Sequence, residues 1–336
     1  MVKEVITTLL ESACPSIRYR IRTEILGESF NDEANLLQRQ LLQENAVQEV
    51  LSWQGSDGWK SSSFHGSKGI EAGVRFLCEK GVTKQHPAIK AALNALRKEP
   101  DLIYRGIGKP GNVLDQLGFG GAQMIRAVVF AYAGIEDEPY VEEQIKIALA
   151  GFNFILSISN LDEIACDYKN KLVFKPRVMW PSIYHLRLLA HTNKWRTPEN
   201  YRMVAKGISK LVELSPIPHI LVLKQSQLVA PAAFAMQDFN PNLEEMSDAM
   251  WMQWFHRMEL LSRIGALQSI PELRKQVIRL EQILKQGKGW FTRRVSHCSF
   301  MNWGVYTGLA LENDWRTPQR RANDLTFRSL LIKHQF

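Results

Sequence analysis

Apolar residues recur along this chain at helical spacing, in segments that come in pairs, and the stretch from Leu51 to Leu96 shows the unit. One helical segment ends at Leu51-Ser52-Trp53-Gln54, and the turn Gly55-Ser56-Asp57-Gly58-Trp59 reverses the chain. A second apolar segment runs from Gly69 to Lys80 and stops at Gly81. A third starts at Pro87, with Ile89, Ala92, Leu93 and Leu96 on one stripe. Glycine after a helix supplies a left-handed cap, and proline fits the first helical turn because its missing N–H is not needed there.

The unit repeats. Proline opens the second helix of a pair at Pro87, Pro139, Pro198, Pro271 and Pro318. The segments before these prolines are apolar and read as helices: Gly69–Lys80, Gly121–Ala133, Pro181–Thr192, Trp254–Ile264 and Cys298–Leu311. Two junctions between pairs are nearly identical, Asn193-Lys194-Trp195-Arg196-Thr197-Pro198 and Asn313-Asp314-Trp315-Arg316-Thr317-Pro318. The Gln-Gly-Trp turn returns as Lys285-Gln286-Gly287-Lys288-Gly289-Trp290. An N-terminal pair, Ser16–Leu26 then Asn31–Gln43, lacks the proline but ends its first helix at Gly27. Repeats of this kind bury their apolar faces on their neighbours. The expectation is therefore one all-α domain over residues 1–336, of about six helical hairpins, the first at 16–43 and the last at 297–333. No strand pattern stands out. Three stretches depart from the period: the glycine-rich 97–120, the link 159–180, and 214–246 with its four prolines.

Composition narrows the functional classes. At 336 residues with 45 % hydrophobic content and nine tryptophans, the chain can bury a large core. No apolar run approaches the ~18 residues a transmembrane helix needs, and the first residues lack a secretory pattern. The four cysteines, Cys14, Cys78, Cys166 and Cys298, are dispersed, which suits reduced thiols and a cytoplasmic location. The formal charge of +8 comes from scattered residues rather than a basic run, so no nucleic-acid partner is expected.

The hairpins with Gln-Gly-Trp turns resemble the α/α toroid of the squalene cyclase and protein prenyltransferase superfamily. The resemblance is closer to bacterial stand-alone proteins labelled prenyltransferase-like. It rests on Pro15-Ser16-Ile17-Arg18-Tyr19-Arg20, on Trp53-Gln54 to Trp59 and on Leu284-Lys285-Gln286 to Trp290, and it covers nearly the whole chain. It implies an (α/α)6 toroid: inner helices after the turns, an outer ring of proline-led helices, and a central cavity. That cavity would take an apolar small molecule, isoprenoid or diphosphate-bearing, for cyclisation or transfer. The Asp-x-Asp-Asp run of class II cyclases is missing here, as is the Asp-x-Cys pair that binds zinc in protein prenyltransferases.

The candidate chemistry gathers at the starts of the inner segments. Asp115 is an acid that could donate a proton if desolvated, or cap the helix after it. Gln123 follows it. His65 and Glu71 lead the first full repeat; a salt link from Glu71 to Lys68 or Arg75 is the other reading. Trp180, Tyr184 and His185 begin one inner segment and Trp254 another, either as an aromatic wall for a cation or isoprenoid or as core. His297 and Cys298, with Asn302 and Tyr306 expected on later turns of one helix, form the last group. Asp115, His297 and Tyr184 are the catalytic candidates; His65, Glu71, Gln123, Trp180, His185, Trp254, Asn302 and Tyr306 are candidates for substrate binding. Adjacent His and Cys point to different faces of a helix, so no cofactor is expected, zinc being the one metal the pair would suit. Three readings follow: an enzyme acting on an isoprenoid or similarly apolar substrate, a non-catalytic hollow scaffold binding an apolar ligand or a protein partner, and a glycan-active toroid. The last needs two carboxylates across a cleft, and the inner segment starts are poor in them.

Overall fold

The computed structural model describes residues 2–28, 32–60, 62–334 and 336. Its α-helices are α1 (Val2–Ser12), α2 (Pro15–Arg20), α3 (Asp32–Leu42), α4 (Asn45–Ser52), α5 (Ile70–Lys80), α6 (Pro87–Lys98) and α7 (Gly108–Gln116). They continue as α8 (Ala122–Tyr132), α9 (Pro139–Ile155), α10 (Ile183–Ala190), α11 (Pro198–Leu214), α12 (Asp248–Ile264), α13 (Pro271–Gln286) and α14 (Pro318–His334). A π turn, Ile21–Ile25, extends α2. Asn31, expected to start the second helix of the first pair, lies outside the described residues.

Helix ends follow the punctuation of the sequence. Proline sits in the first turn of α6, α9, α11 and α13. Gly81 and Gly265 close α5 and α12 in the left-handed region, at φ 98° and 89°, a conformation that costs glycine little. Four of the proline-led helices each bury a single stripe, such as Ile89, Ala92, Leu93 and Leu96 on α6 or Leu273, Val277, Leu280 and Leu284 on α13. This is the amphipathic pattern of a surface helix. The helices before them are buried nearly all round. Every residue of α10 is buried, and on α5 so are Glu71, Arg75 and Lys80. The buried elements pack in succession: α5 on α8, α8 on α10, α10 on α12, α12 on α14, and α14 on the π turn. An ion pair from Arg20 to Glu79, at 2.9 Å, joins α2 to α5.

The last pair departs from expectation. Residues 298–311 do not form a helix: only a 3-10 turn, Cys298–Phe300, is regular. The proline-led α14, expected outside, is instead buried from Asn323 to Ile332 and packs on α12. The cause lies in competing partners for the backbone. Arg75 donates to the carbonyls of Gly304 and Thr307 at 2.9 Å and of Gly308 at 2.7 Å, and Arg187 to that of Val305 at 2.7 Å. A helix would use those carbonyls internally. Gly308 has φ 95°, and a Cβ there would lie 2.5 Å from the Trp303 ring. Asp324 then receives the N–H groups of Leu311 and Glu312 and the Trp315 indole N–H, drawing the chain onto α14. The twin junction uses its tryptophan differently: Trp195 donates to the carbonyls of Leu189 and Thr192 at the end of α10.

Strands also appear where none was expected. β1 (Ala165–Tyr168) pairs antiparallel with β2 (Lys171–Phe174), and β3 (Val222–Lys224) with β4 (Gln227–Val229). Backbone bonds from Phe174 to Leu221 and from Leu221 to Leu172 connect the hairpins. The glycine-rich 97–120 holds a 3-10 turn, Pro100–Tyr104, and α7.

The Gln-Gly-Trp turns work through tryptophan. Trp59 is fully buried and donates its indole N–H to Ala88 at the start of α6, 3.2 Å away. A Cβ on Gly73 of α5 would lie 2.6 Å from its ring, so the glycine makes room for the indole. The side-chain amides of Gln54 and Gln286 make no hydrogen bond among the described residues, and Trp290 is only half-buried. We expect Trp59→Ala to cost about 3–5 kcal/mol, and Trp290→Ala less than half as much. Urea denaturation of the two variants checks this; equal losses would contradict it.

Candidate functional site

Asp115 closes α7, and Gly118 and Gly120, at φ 76° and 77°, swing the chain into α8. The carboxylate accepts the N–H groups of Gly121 at 3.0 Å and of Gln123 at 3.0 and 3.2 Å. It thus satisfies donors at the α8 N-terminus, where partial positive charge favours an anion. Burial nonetheless pushes its pKa up to about 6, against the pull of those N–H groups.

This acid lines a cavity of about 620 Å³, walled mostly by apolar side chains such as Leu117, Phe119, Ile147, Phe174, Met179 and Leu223. The two β-hairpins contribute to its wall through Val173, Phe174, Val222 and Leu223. Lys175, Arg177 and the exposed thiol of Cys166 are the other polar groups on its wall besides Asp115 and Gln116. A concave, apolar surface with a few polar groups is the usual character of a small-molecule site.

A second group lies among the buried helices and unites four residues singled out in the sequence. Glu71, fully buried on α5, accepts the Tyr184 hydroxyl at 2.7 Å and lies 2.7 Å from His65 Nδ1. Tyr306 packs against both partners, its ring centre 6.0 Å from that of Tyr184 and 6.1 Å from that of His65. Burial and the Glu71 charge hold the Tyr184 pKa well above its ordinary value. Arg187 places Nη1 3.8 Å from Glu71 and donates through Nε to His256 Nε2 at 3.3 Å. Burial and Arg187 keep the His256 pKa far below normal, so its neutral ring can accept. Glu71 orients the His65 imidazole, the pairing that a general base requires.

The remaining sequence candidates are dispersed. Gln123 reaches the Tyr104 hydroxyl at 3.5 Å. Trp180 is buried beside Phe174. His185 belongs to the capping box of α10: its Nδ1 accepts the Ser182 N–H at 2.9 Å, and burial lowers its pKa to about 4. Trp254 donates to Gln276 at 2.7 Å within an aromatic cluster with Trp251 and Phe255. His297 turns to Ser299 in the 3-10 turn, Cys298 is exposed, and Asn302 is exposed on the irregular segment. His297, Asn302 and Tyr306 therefore do not share a helix face. Among the described residues, no three His, Cys, Asp or Glu side chains converge where they could hold a metal ion, and no helix is long and apolar enough to cross a membrane.

Sequence reasoning missed Arg187 and considered Arg75 only as a salt-link partner of Glu71, whereas Arg75 bonds instead to the carbonyls of residues 304, 307 and 308. Their signal was a charge inside an apolar run, as in Val74-Arg75-Phe76 and Leu186-Arg187-Leu188. Comparison of the chain with models of known families, with curated proteins and with solved structures gives no match.

Two outcomes test these assignments. The Asp115 pKa is higher folded than unfolded, so its contribution to stability is present at low pH and lost as pH rises through about 6. The stability of the wild type relative to Asp115→Asn should therefore fall by about 1–3 kcal/mol from pH ~4 to pH ~7. Urea unfolding at both pH values measures it, and a constant difference would refute the raised pKa. Glu71→Gln removes the charge that faces Arg187 and His65 while keeping the side-chain size. A loss of about 2–4 kcal/mol is expected by the same measurement, and a neutral result would show that the network is dispensable.

Proposed function

We propose that this chain is an α/α toroid whose task is to hold an apolar small molecule in the groove between the α7–α8 turn and the two β-hairpins. The order of helix packing supports the toroid: α5, α8, α10, α12 and α14 follow one another, the π turn after α2 meets α14, and α2 meets the end of α5 through Arg20. The middle of that arrangement is taken up by Arg75, Arg187 and residues 304–308. We therefore assign the ligand to the groove rather than to the centre.

One observation carries the reading: a cavity of about 620 Å³ with a mostly apolar wall that carries a few polar groups. The isoprenoids implied by the resemblance to terpene cyclases and prenyltransferases fit that chemistry. Lys175 and Arg177 supply positive charge for an anionic head, and Asp115 can accept or give a proton near neutral pH. Catalysis is not required by this reading, and nucleic acid plays no part in it.

The test is organic extraction of the purified protein with mass spectrometry, together with titration of farnesol and farnesyl diphosphate against intrinsic fluorescence. Met179→Arg, which places a charge on the groove wall, should weaken binding by about tenfold or more. Equal affinity of the variant and the wild type, or no binding of either compound and no co-purified apolar molecule, would refute the proposal.

A further inference from the structure

The opposite end of the buried helices carries a different cavity. The last turns of α5, α8 and α12 and the residue after α10 bring Cys78, Glu79, Tyr132, His191 and Arg263 around a polar chamber of about 160 Å³, with Arg20 and Glu24 from the α2 region. A recess of about 350 Å³ adjoins it, sharing Arg20, Glu24, Cys78 and Tyr132. The chamber has room for several ordered waters or one small organic molecule.

Its walls are balanced in charge. Arg20, Arg263 and Arg328 meet Glu24, Glu79 and Glu259 in a continuous set of ion pairs. Burial and Arg263 bring the His191 pKa down to about 3, and burial takes the Cys78 thiol up to about 12, so both are neutral near pH ~7. A ligand of net charge would lie uncompensated here, because every wall charge has its opposite already.

The pairing is incomplete at a few atoms. Arg263 uses Nη2 on Glu24 and Glu259, and Glu79 uses Oε2 on Arg20 and Arg328. Among the described residues, no hydrogen bond engages Arg263 Nη1, Glu79 Oε1, the Tyr132 hydroxyl or either His191 ring nitrogen. The chamber therefore offers one cationic donor, one carboxylate oxygen and two neutral polar groups. The C-terminal carbonyls of four helices add partial negative charge that favours an ammonium group.

We propose that this chamber binds a small zwitterion of the α-amino acid type, its carboxylate on Arg263 and its ammonium group on Glu79. Tyr132 and His191 supply the remaining hydrogen bonds, and the recess admits the ligand. The site is independent of the apolar groove and of any reaction there.

Isothermal titration calorimetry of the full chain tests it, with glycine and L-alanine against acetate and methylammonium. We expect saturable binding of at least one zwitterion, with each singly charged analogue weaker by about tenfold or more. Tyr132→Phe removes only the unbonded hydroxyl and should weaken zwitterion binding severalfold. Cys78→Met fills the chamber and should abolish binding; a thermal melt by circular dichroism establishes that each variant is folded, and Tyr132→Phe decides if Cys78→Met is not. Absence of saturable binding by both zwitterions overturns the proposal. So does equal binding of acetate or methylammonium, or zwitterion binding that the folded variants leave unchanged.

Discussion

The architecture depends on how it compensates charge where water is scarce. Arg20, Arg263 and Arg328 meet Glu24, Glu79 and Glu259 at distances from 2.6 to 3.4 Å, besides the contact of Arg20 with Glu24. These residues come from α2 and its π turn, α5, α12 and α14, so one network ties the start, the first repeat and the end of the chain. Burial alone would raise the Glu79 pKa, yet Arg328 and Arg20 together hold it well below the carboxylate range. An ion removed from such a set leaves its partners charged and dry, which costs more than the pair gains. The network therefore fixes which helices are neighbours more than it adds to stability. Arginine suits the role because its planar fork serves several acceptors at once, as Arg20 does with three carboxylates.

A second pair of arginines meets a different solution. Among the described residues, Arg75 has no carboxylate within hydrogen-bonding distance and draws on three backbone carbonyls, with Trp303 against its guanidinium. Arg187 divides itself between a carbonyl, His256 and the edge of Glu71. Segment 301–309 fills the space that a regular helix was expected to occupy because its carbonyls are the ligands of those cations. The displaced helix is replaced by α14, whose Asp324 and Arg328 complete the contacts from the other side.

Much of the fold was legible because it is written locally. Pro87, Pro139, Pro198 and Pro271 mark helix starts, and Gly81 and Gly265 mark ends, through backbone sterics that need no knowledge of neighbours. The final pair was misread because Cys298–Leu311 has an apolar pattern suited to a helix, while the demand for its carbonyls comes from Arg75, more than two hundred positions earlier. The hairpins were missed for a related reason. The β1–β2 turn uses Lys169 and Asn170 at φ 49° and 58° in place of glycine, and the strands have only three or four residues each. As for the site, position at a helix start was enough to select His65, Glu71 and Tyr184. Nothing in the sequence spacing connects them to Arg187 and His256, which reach them from a neighbouring turn and the next buried helix.

The bonds from Arg75 and Arg187 to residues 304–308 end on main-chain oxygen, which every amino acid carries. Val305 and Thr307 can exchange their side chains without losing the atom that is held, whereas neither arginine has a substitute. The irregular segment is thereby free to drift in sequence while its path stays fixed, and two positions on distant helices carry the constraint for it. Guanidinium and carbonyl groups also keep their protonation states across the physiological range, so acidification that disturbs the carboxylates leaves this part of the interior in place.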